Sequence, residues 1–324
     1  MPTTIALIVP DGKVPERIDI YLTRSIENAT RTKVQKAIEE GTVLVNGKQV
    51  KASHKVQKGE SILITLPKEP PPDIVPENIP LDIVFEDEFL LVVNKPAGMV
   101  VHPAFGNYSG TLVNALLYHY RQLSSLNDST RPGIVHRIDK NTSGLLVVAK
   151  NNFTHAQLAK QFSAHTIERE YRAIVWGTFP LANKKNKIKS GIIEASLGRS
   201  KQDRKKIAVR DDGKHAVTEY EVVEEFDFLS HLRLKLRTGR THQIRAHLFH
   251  INHPVFGDPD YSGRKKNWGE GGKKYSNKIQ QLLSLIDRQA LHAKNLGFIH
   301  PNTKSFLRFE SSIPEDFHNV LNKL

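Results

Sequence analysis

A chain of 324 residues, 39% of them hydrophobic, can bury about two cores of ordinary domain size, which excludes a disordered chain. Its 47 Lys and Arg against 34 Asp and Glu leave a net charge of +13, which favours a polyanionic partner, although a basic enzyme dispersed by its charge has the same balance. With no cysteine, disulfides, thiolate metal sites and cysteine nucleophiles are all excluded.

The opening "MPTTIALIVP" has a short apolar patch but no basic lead and no small-residue cleavage site, so it is not read as a secretory signal. No apolar run is long enough to cross a bilayer, and a cytoplasmic protein away from membranes is expected. Ile18, Tyr21 and Leu22 repeat at helical spacing, as do Val34 and Ile38 behind Thr30 or Thr32 as cap, which predicts two short helices. The Asn46-Gly47 pair in "TVLVNGKQV" predicts a hairpin after them. Arg31, Lys33 and Lys36 cluster at the second helix, either as a solvated face or as a contact for RNA. From Pro67 to Pro80 lie six of the 17 prolines, an extended and semi-rigid linker that divides the chain into residues 1–66 and 81–324.

In the larger part, "FEDEFLLVVNKPAGMVVHP" reads as a strand ending at Asn94-Lys95-Pro96, a turn at Ala97-Gly98, and a further strand beginning at Val100 and Val101. In "GIVHRIDKNTSGLLVVAK" the apolar run from Gly144 to Ala149 predicts a central strand, entered through a loop from His136 to Ser143. That loop sets one acid, Asp139, between Arg137 and Lys140. An isolated loop aspartate ordinarily caps a backbone N–H, yet strand-end loops are also where side chains meet ligands. His136 is read as structural. Tyr171 in "EREYRAIVWG" alternates with Ala173 and Val175 on one strand face, the pattern of a core aromatic.

From Lys184 to Arg210, ten Lys or Arg stand against two acids, so this segment, with Lys205 and Lys206, is either a solvated loop or a phosphate contact. In "RTGRTHQIRAHLFHINHPVFGDPDY", Ile244, Leu248 and Ile251 form one helical stripe capped by Thr241. Arg245 lies about 100 degrees round from Ile244, at the edge of the core, where a structural ion pair is its ordinary role. His242, His247, His250 and His253 lack the i, i+4 spacing of a helical zinc motif, and Ser143 lacks a G-x-S-x-G elbow, so neither a metal site nor a serine hydrolase is expected. "RKKNWGEGGKK", Arg264 to Lys274, reads as a mobile surface loop.

The motifs "NKPAGMVVHP", "HRIDKNTSGLLVVAK", "EREYRAIVWG" and "GRTHQIRAHL", followed by "HPVFGDPDY", resemble those of the RluA-type pseudouridine synthases, the RluD branch in particular. Residues 1–66 resemble the S-four-type RNA-binding module. Ile138 stands where leucine is usual in the family. The resemblance implies an α+β fold: a helix-helix-hairpin module, and a catalytic domain on a mixed, largely antiparallel sheet with flanking helices. It implies the isomerisation of uridine in RNA to pseudouridine without cofactor or metal, by a monomer whose partner is large-subunit ribosomal RNA or a pre-ribosomal particle. In that reading Asp139 attacks the ribose or removes a ribose proton, and Arg245 pairs with it. Tyr171 stacks on the base and takes its C5 proton, and Arg137 fills the space the base leaves. Arg31, Lys33, Lys36, Lys205 and Lys206 are the expected RNA contacts. A glycoside hydrolase needs two carboxylates; uracilate is a delocalised leaving group, so one is enough. Related branches modify transfer RNA or other large-subunit sites. A non-catalytic RNA-binding protein would share the charge but have no use for Asp139, Tyr171 and Arg245 together.

Overall fold

The computed structural model describes residues 3–12, 14–26, 29–66, 74–104, 106–126, 131–179, 189–203, 206–265 and 275–324. The chain splits into two compact units, Met1–Pro72 and Asp73–Leu324. In the first, β1 (Thr3–Ile8), β2 (Val43–Val45), β3 (Lys48–Gln49) and β4 (Ser61–Leu66) form an antiparallel sheet in the order β1-β4-β2-β3. Helices α1 (Ile18–Ser25) and α2 (Arg31–Glu39) bury Ile18, Leu22, Val34 and Ile38 in one core with Ile62 and Ile64 of β4. Both predicted helices and the hairpin are present. Thr30 caps α2 by accepting the Lys33 N–H, and Asn46 and Gly47 take the left-handed backbone that the tight turn requires. The apolar patch at the N-terminus is strand β1, paired along the whole of β4. Asp19 is buried on α1; hydrogen bonds from Arg17, Gln35 and Arg31 hold its carboxyl down to about 2 against the opposing effect of burial.

The second unit is built on nine strands: β5 (Ile83–Glu86), β6 (Leu90–Lys95), β7 (Ser143–Ala149), β8 (Glu168–Trp176), β9 (Ser190–Glu194), β12 (Val217–Glu225), β13 (Leu229–Leu236), β14 (Leu291–Ile299) and β15 (Phe306–Glu310). Their order is β5-β6-β7-β14-β8-β13-β12-β9, with β15 beside the end of β14, and only β7 and β14 pair in parallel. A separate ribbon joins β10 (Leu197–Arg199) to β11 (Ile207–Val209). Helices α3 (Leu112–His119), α4 (Asn152–Ser163), α5 (Gln243–His250), α6 (Ser276–Leu285) and α7 (Glu315–Lys323) complete the unit. The fold is therefore α+β with a mixed, largely antiparallel sheet. Every residue of β7 is buried, which is why its sequence runs apolar without alternation.

Two local expectations change. Val100 and Val101 do not start a strand; their carbonyls accept the N–H groups of Leu112 and Val113, two of the donors left over at the start of α3. The second half of the proline stretch is tied into this unit: Ile74 and Ile79 pack on its core, and Asn114 binds the Val75 carbonyl. Residues 67–73, 184–188 and 266–274 lie outside the described residues.

The parallel junction dictates one residue type. Gly144 has φ +115 and pairs with Ala293, and a Cβ there would stand 2.2 Å from the Ala293 carbonyl oxygen. Gly144→Ala is expected to cost about 2–4 kcal/mol of stability, read as a lowered urea midpoint.

Candidate active site

The strand order β7-β14-β8-β13 explains how residues far apart in sequence meet. The loop entering β7 carries Asp139, β8 carries Tyr171, and the helix that follows β13 carries Arg245. Arg245 Nη1 donates to Asp139 Oδ2 at 3.3 Å, across 106 residues of chain. Its stronger contacts are elsewhere: Nε and Nη2 donate to the two oxygens of buried Asp258 at 2.7 and 2.8 Å, and Nη2 also reaches Asp260 at 2.6 Å. The guanidinium lies over the Tyr261 ring, 4.8 Å from its centroid. Burial alone would lower the Arg245 pKa; hydrogen bonds and charge from Asp258, then Asp139, outweigh it and raise it. The side chain of Asp139 keeps 17% of its surface open, against 4% for Arg245 and none for Asp258. The acid is oriented without being enclosed.

The loop around Asp139 is fixed from below by its backbone. Lys95, fully buried at the end of β6, donates from Nζ to the carbonyls of Pro96, Met99 and Lys140 at 2.6, 2.8 and 3.0 Å. Burial, helped by the charge of Arg288, pushes its pKa down to about 7. Arg288, clasped by both oxygens of Asp316, donates to the Asn141 carbonyl, and Gln289 donates to Thr142 Oγ1.

The expected cap of α5 by Thr241 is replaced. His242 occupies the N-cap in the left-handed region, φ 51, with no side-chain cap bond, while Gln243 Oε1 accepts from the Arg240 N–H and the Thr238 hydroxyl. This strained backbone turns the His242 ring inward. Nδ1 meets the Tyr261 hydroxyl at 3.0 Å and Nε2 lies 4.0 Å from Asp139 Oδ1.

Asp139, Arg137, Ile138, His242 and Arg245 line both of two adjoining cavities, of about 510 and 320 Å³. Tyr171 belongs to the larger one. Burial pushes its phenol above the usual range, and the charge of Asp139 acts in the same sense, so it faces the cavity as a neutral ring. Arg137 is exposed at the rim. Of the other expected residues, Lys33 is exposed on α2, Arg31 binds Asp19 at 3.1 Å, and Lys36 lies 4.0 Å from Glu40. Lys206 stands 3.6 Å from Asp203, and Lys205 lies outside the described residues. Among the described residues no cluster of His, Asp and Glu could hold a metal ion; His247 binds Thr218 and the Ala195 carbonyl, and His253 binds the Trp176 carbonyl.

The RNA pseudouridylate synthase family model matches residues 89–250, which hold all of Asp139, Tyr171 and Arg245, and the S4 domain model matches residues 16–62. The chain is 46% identical to an uncharacterized RNA pseudouridine synthase of Chlorobaculum parvum, over 99% of this chain and 97% of that one. The chain belongs to the RNA pseudouridine synthase family. The synthase is also 45% identical to ribosomal large subunit pseudouridine synthase D of Zymomonas mobilis, over 100% of its own length and 98% of that of the relative. The fold is shared with human RNA pseudouridylate synthase domain containing 1, at a TM-score of 0.54 and 23% identity, covering 73% of this chain and 84% of that one. Among the described residues no helix is long and apolar enough to cross a membrane.

Asp258, Asp260, Tyr261 and Lys95 were not singled out from sequence. The first three sit in "HPVFGDPDY", where two acids beside an aromatic, so soon after an arginine predicted at the core edge, are the signal that names its partners. Asp258→Ala removes the bidentate partner of a buried guanidinium, leaving it Asp260 and Asp139, and a loss of about 3–5 kcal/mol in urea denaturation is expected. His136 gives a pH-dependent counterpart. Its Nε2 accepts the Val147 N–H, its ring stacks on Phe162, and burial, then the charge of Arg169, pushes its pKa down to about 3. The unfolded chain binds that proton below about 6.5 and the folded chain only near 3, so the stability it contributes is complete above 6.5 and is lost as pH falls toward 3. His136→Phe should make the urea midpoint less steeply dependent on pH in that window. The slope will not vanish, because His231 and His292, both pushed down to about 4, act in the same direction.

Proposed function

We propose that the synthase converts uridines of large-subunit ribosomal RNA to pseudouridine, with Asp139 as the one carboxylate that acts on the ribose. The supporting observation is the division of labour around Arg245. Asp258 takes the bidentate contact and the burial, so Asp139 is held through a single longer bond with its other oxygen facing His242 and the cavity. A carboxylate fixed in direction but still reachable is what opening a glycosidic bond requires. The C1′–N1 electron pair leaves with the uracil, where it is delocalised, so no second acid is needed. Once the base has turned, C5 bonds to C1′ as Asp139 is released or returns the ribose proton it removed, and C5 then loses a proton while N1, freed of the ribose, gains one.

A uridine in folded RNA must leave its stack to enter such a cavity. Tyr171, neutral and buried, supplies a flat surface for the ring, and Arg137 at the rim is positioned to take the place left in the RNA. Support for the ribosomal target comes from the synthases named ribosomal large subunit pseudouridine synthase D, related at 37–45% identity over nearly the full chain. The S4 domain and the net charge of +13 fit a large polyanion. In the smaller unit, Arg31, Lys33 and Lys36 are assigned to RNA contact.

Asp139→Asn is expected to abolish pseudouridine formation while RNA affinity stays close to that of the parent. Mapping pseudouridines in total RNA from cells with and without the gene tests the target. Loss confined to large-subunit RNA supports the assignment; an unchanged large-subunit map overturns it.

A further inference from the structure

Four arginines and one acid line the larger cavity, and most of that excess is accounted for. Arg245 is held by three carboxylates, Arg240 donates to the His215 carbonyl, and Arg137 is exposed. Arg169 is different. It is half-buried, and among the described residues no carboxylate pairs with it. Its one hydrogen bond is from Nη2 to the Leu236 carbonyl at 3.4 Å, and Nε, shielded from water, has no partner among the described residues. A guanidinium has five N–H donors, and leaving them unmade in a desolvated place is costly. The group is nevertheless held in place. Its Cζ lies 5.7 Å from the centre of the Phe162 ring, and Gly239 leaves room for it, since a Cβ there would fall 2.6 Å from Nη1. A positioned cation that lines a cavity, and whose terminal Nη1 makes no hydrogen bond among the described residues, is a site for an anion.

We propose that Arg169 binds a phosphate of the RNA backbone beside the target nucleotide. The proposal rests on the reading of Tyr171 as the surface that takes the base. Arg169 and Tyr171 are two residues apart on β8, so they share a face and stand about 7 Å apart along the strand. On that face exposure rises from buried Tyr171 to half-buried Arg169, so Arg169 lies toward the mouth. A phosphate next to a nucleotide whose ring lies on Tyr171 and whose ribose faces Asp139 is then within reach of Arg169, which lines the same cavity. Burial lowers the pKa of Arg169, and an anion at the site relieves the cost.

The test uses the full chain and a hairpin RNA with uridines in its loop. Binding is measured over a salt series in the Asp139→Asn background, so that turnover does not enter. Adding Arg169→Met should weaken binding about tenfold at low salt and flatten log affinity against log salt by about 0.7, whereas Arg169→Lys keeps the slope. In the catalytically intact chain, Arg169→Met should raise KM by more than it lowers kcat. Unchanged affinity and slope would overturn the proposal. So would a fall in kcat alone with slope intact, since the guanidinium would then serve the base rather than the backbone. Turnover by Asp139→Asn itself is a separate failure, one of the catalytic reading, and leaves the binding comparison valid.

Discussion

The site depends on how one buried guanidinium divides its donors. Burying Arg245 is favourable only because Asp258 meets it with both oxygens in a place as dry as its own. Had Asp139 been the only partner, the same pairing would have drawn that acid inward and used both of its oxygens. With Asp258 and Asp260 present, Arg245 can aim Asp139 through a single N–H without enclosing it. Three carboxylates around one cation leave the cluster negative, and the other arginines of the cavity wall offset this.

The same logic recurs beneath the loop. Lys95 and Arg288 are cations whose hydrogen bonds go largely to main-chain carbonyls, including those of Lys140 and Asn141. They come from the end of β6 and the approach to β14, the two strands that flank β7. The backbone on which Asp139 sits is thus fixed from several parts of the sheet, and little reorganisation remains when a substrate enters.

Much of this was legible in the sequence, and the exceptions share a cause. The helices at Ile18 and Val34, the Asn46-Gly47 hairpin, the central strand after Ser143 and the helix under Ile244 all follow from periodicity and turn chemistry, which are local. Asp139, Tyr171 and Arg245 were singled out by motif, and their shared cavity is a product of strand order, which periodicity does not encode. Val100 and Val101 have the residues of a strand but serve the end of a helix, because the donors of Leu112 and Val113 compete for their carbonyls. Thr241 has the chemistry of a cap, yet His242 holds the position, its ring being drawn to Tyr261 and Asp139. In each case a contact distant in sequence outweighed a local preference.

The place of β14 has a consequence for how the chain is made. It begins at Leu291, after seven other strands of this sheet in chain order, yet it lies between β7 and β8 in the middle of the sheet. Before it arrives, β5-β6-β7 and β8-β13-β12-β9 are separate sheets, each with an open edge of unpaired amides and carbonyls. A chain that ends before Leu291 therefore leaves β7 and β8 each with an unpaired edge and has no shared cavity, and such edges favour aggregation. The strand that closes the sheet is also the one that joins the part carrying Asp139 to the part carrying Tyr171, so their shared cavity exists only once β14 is in place.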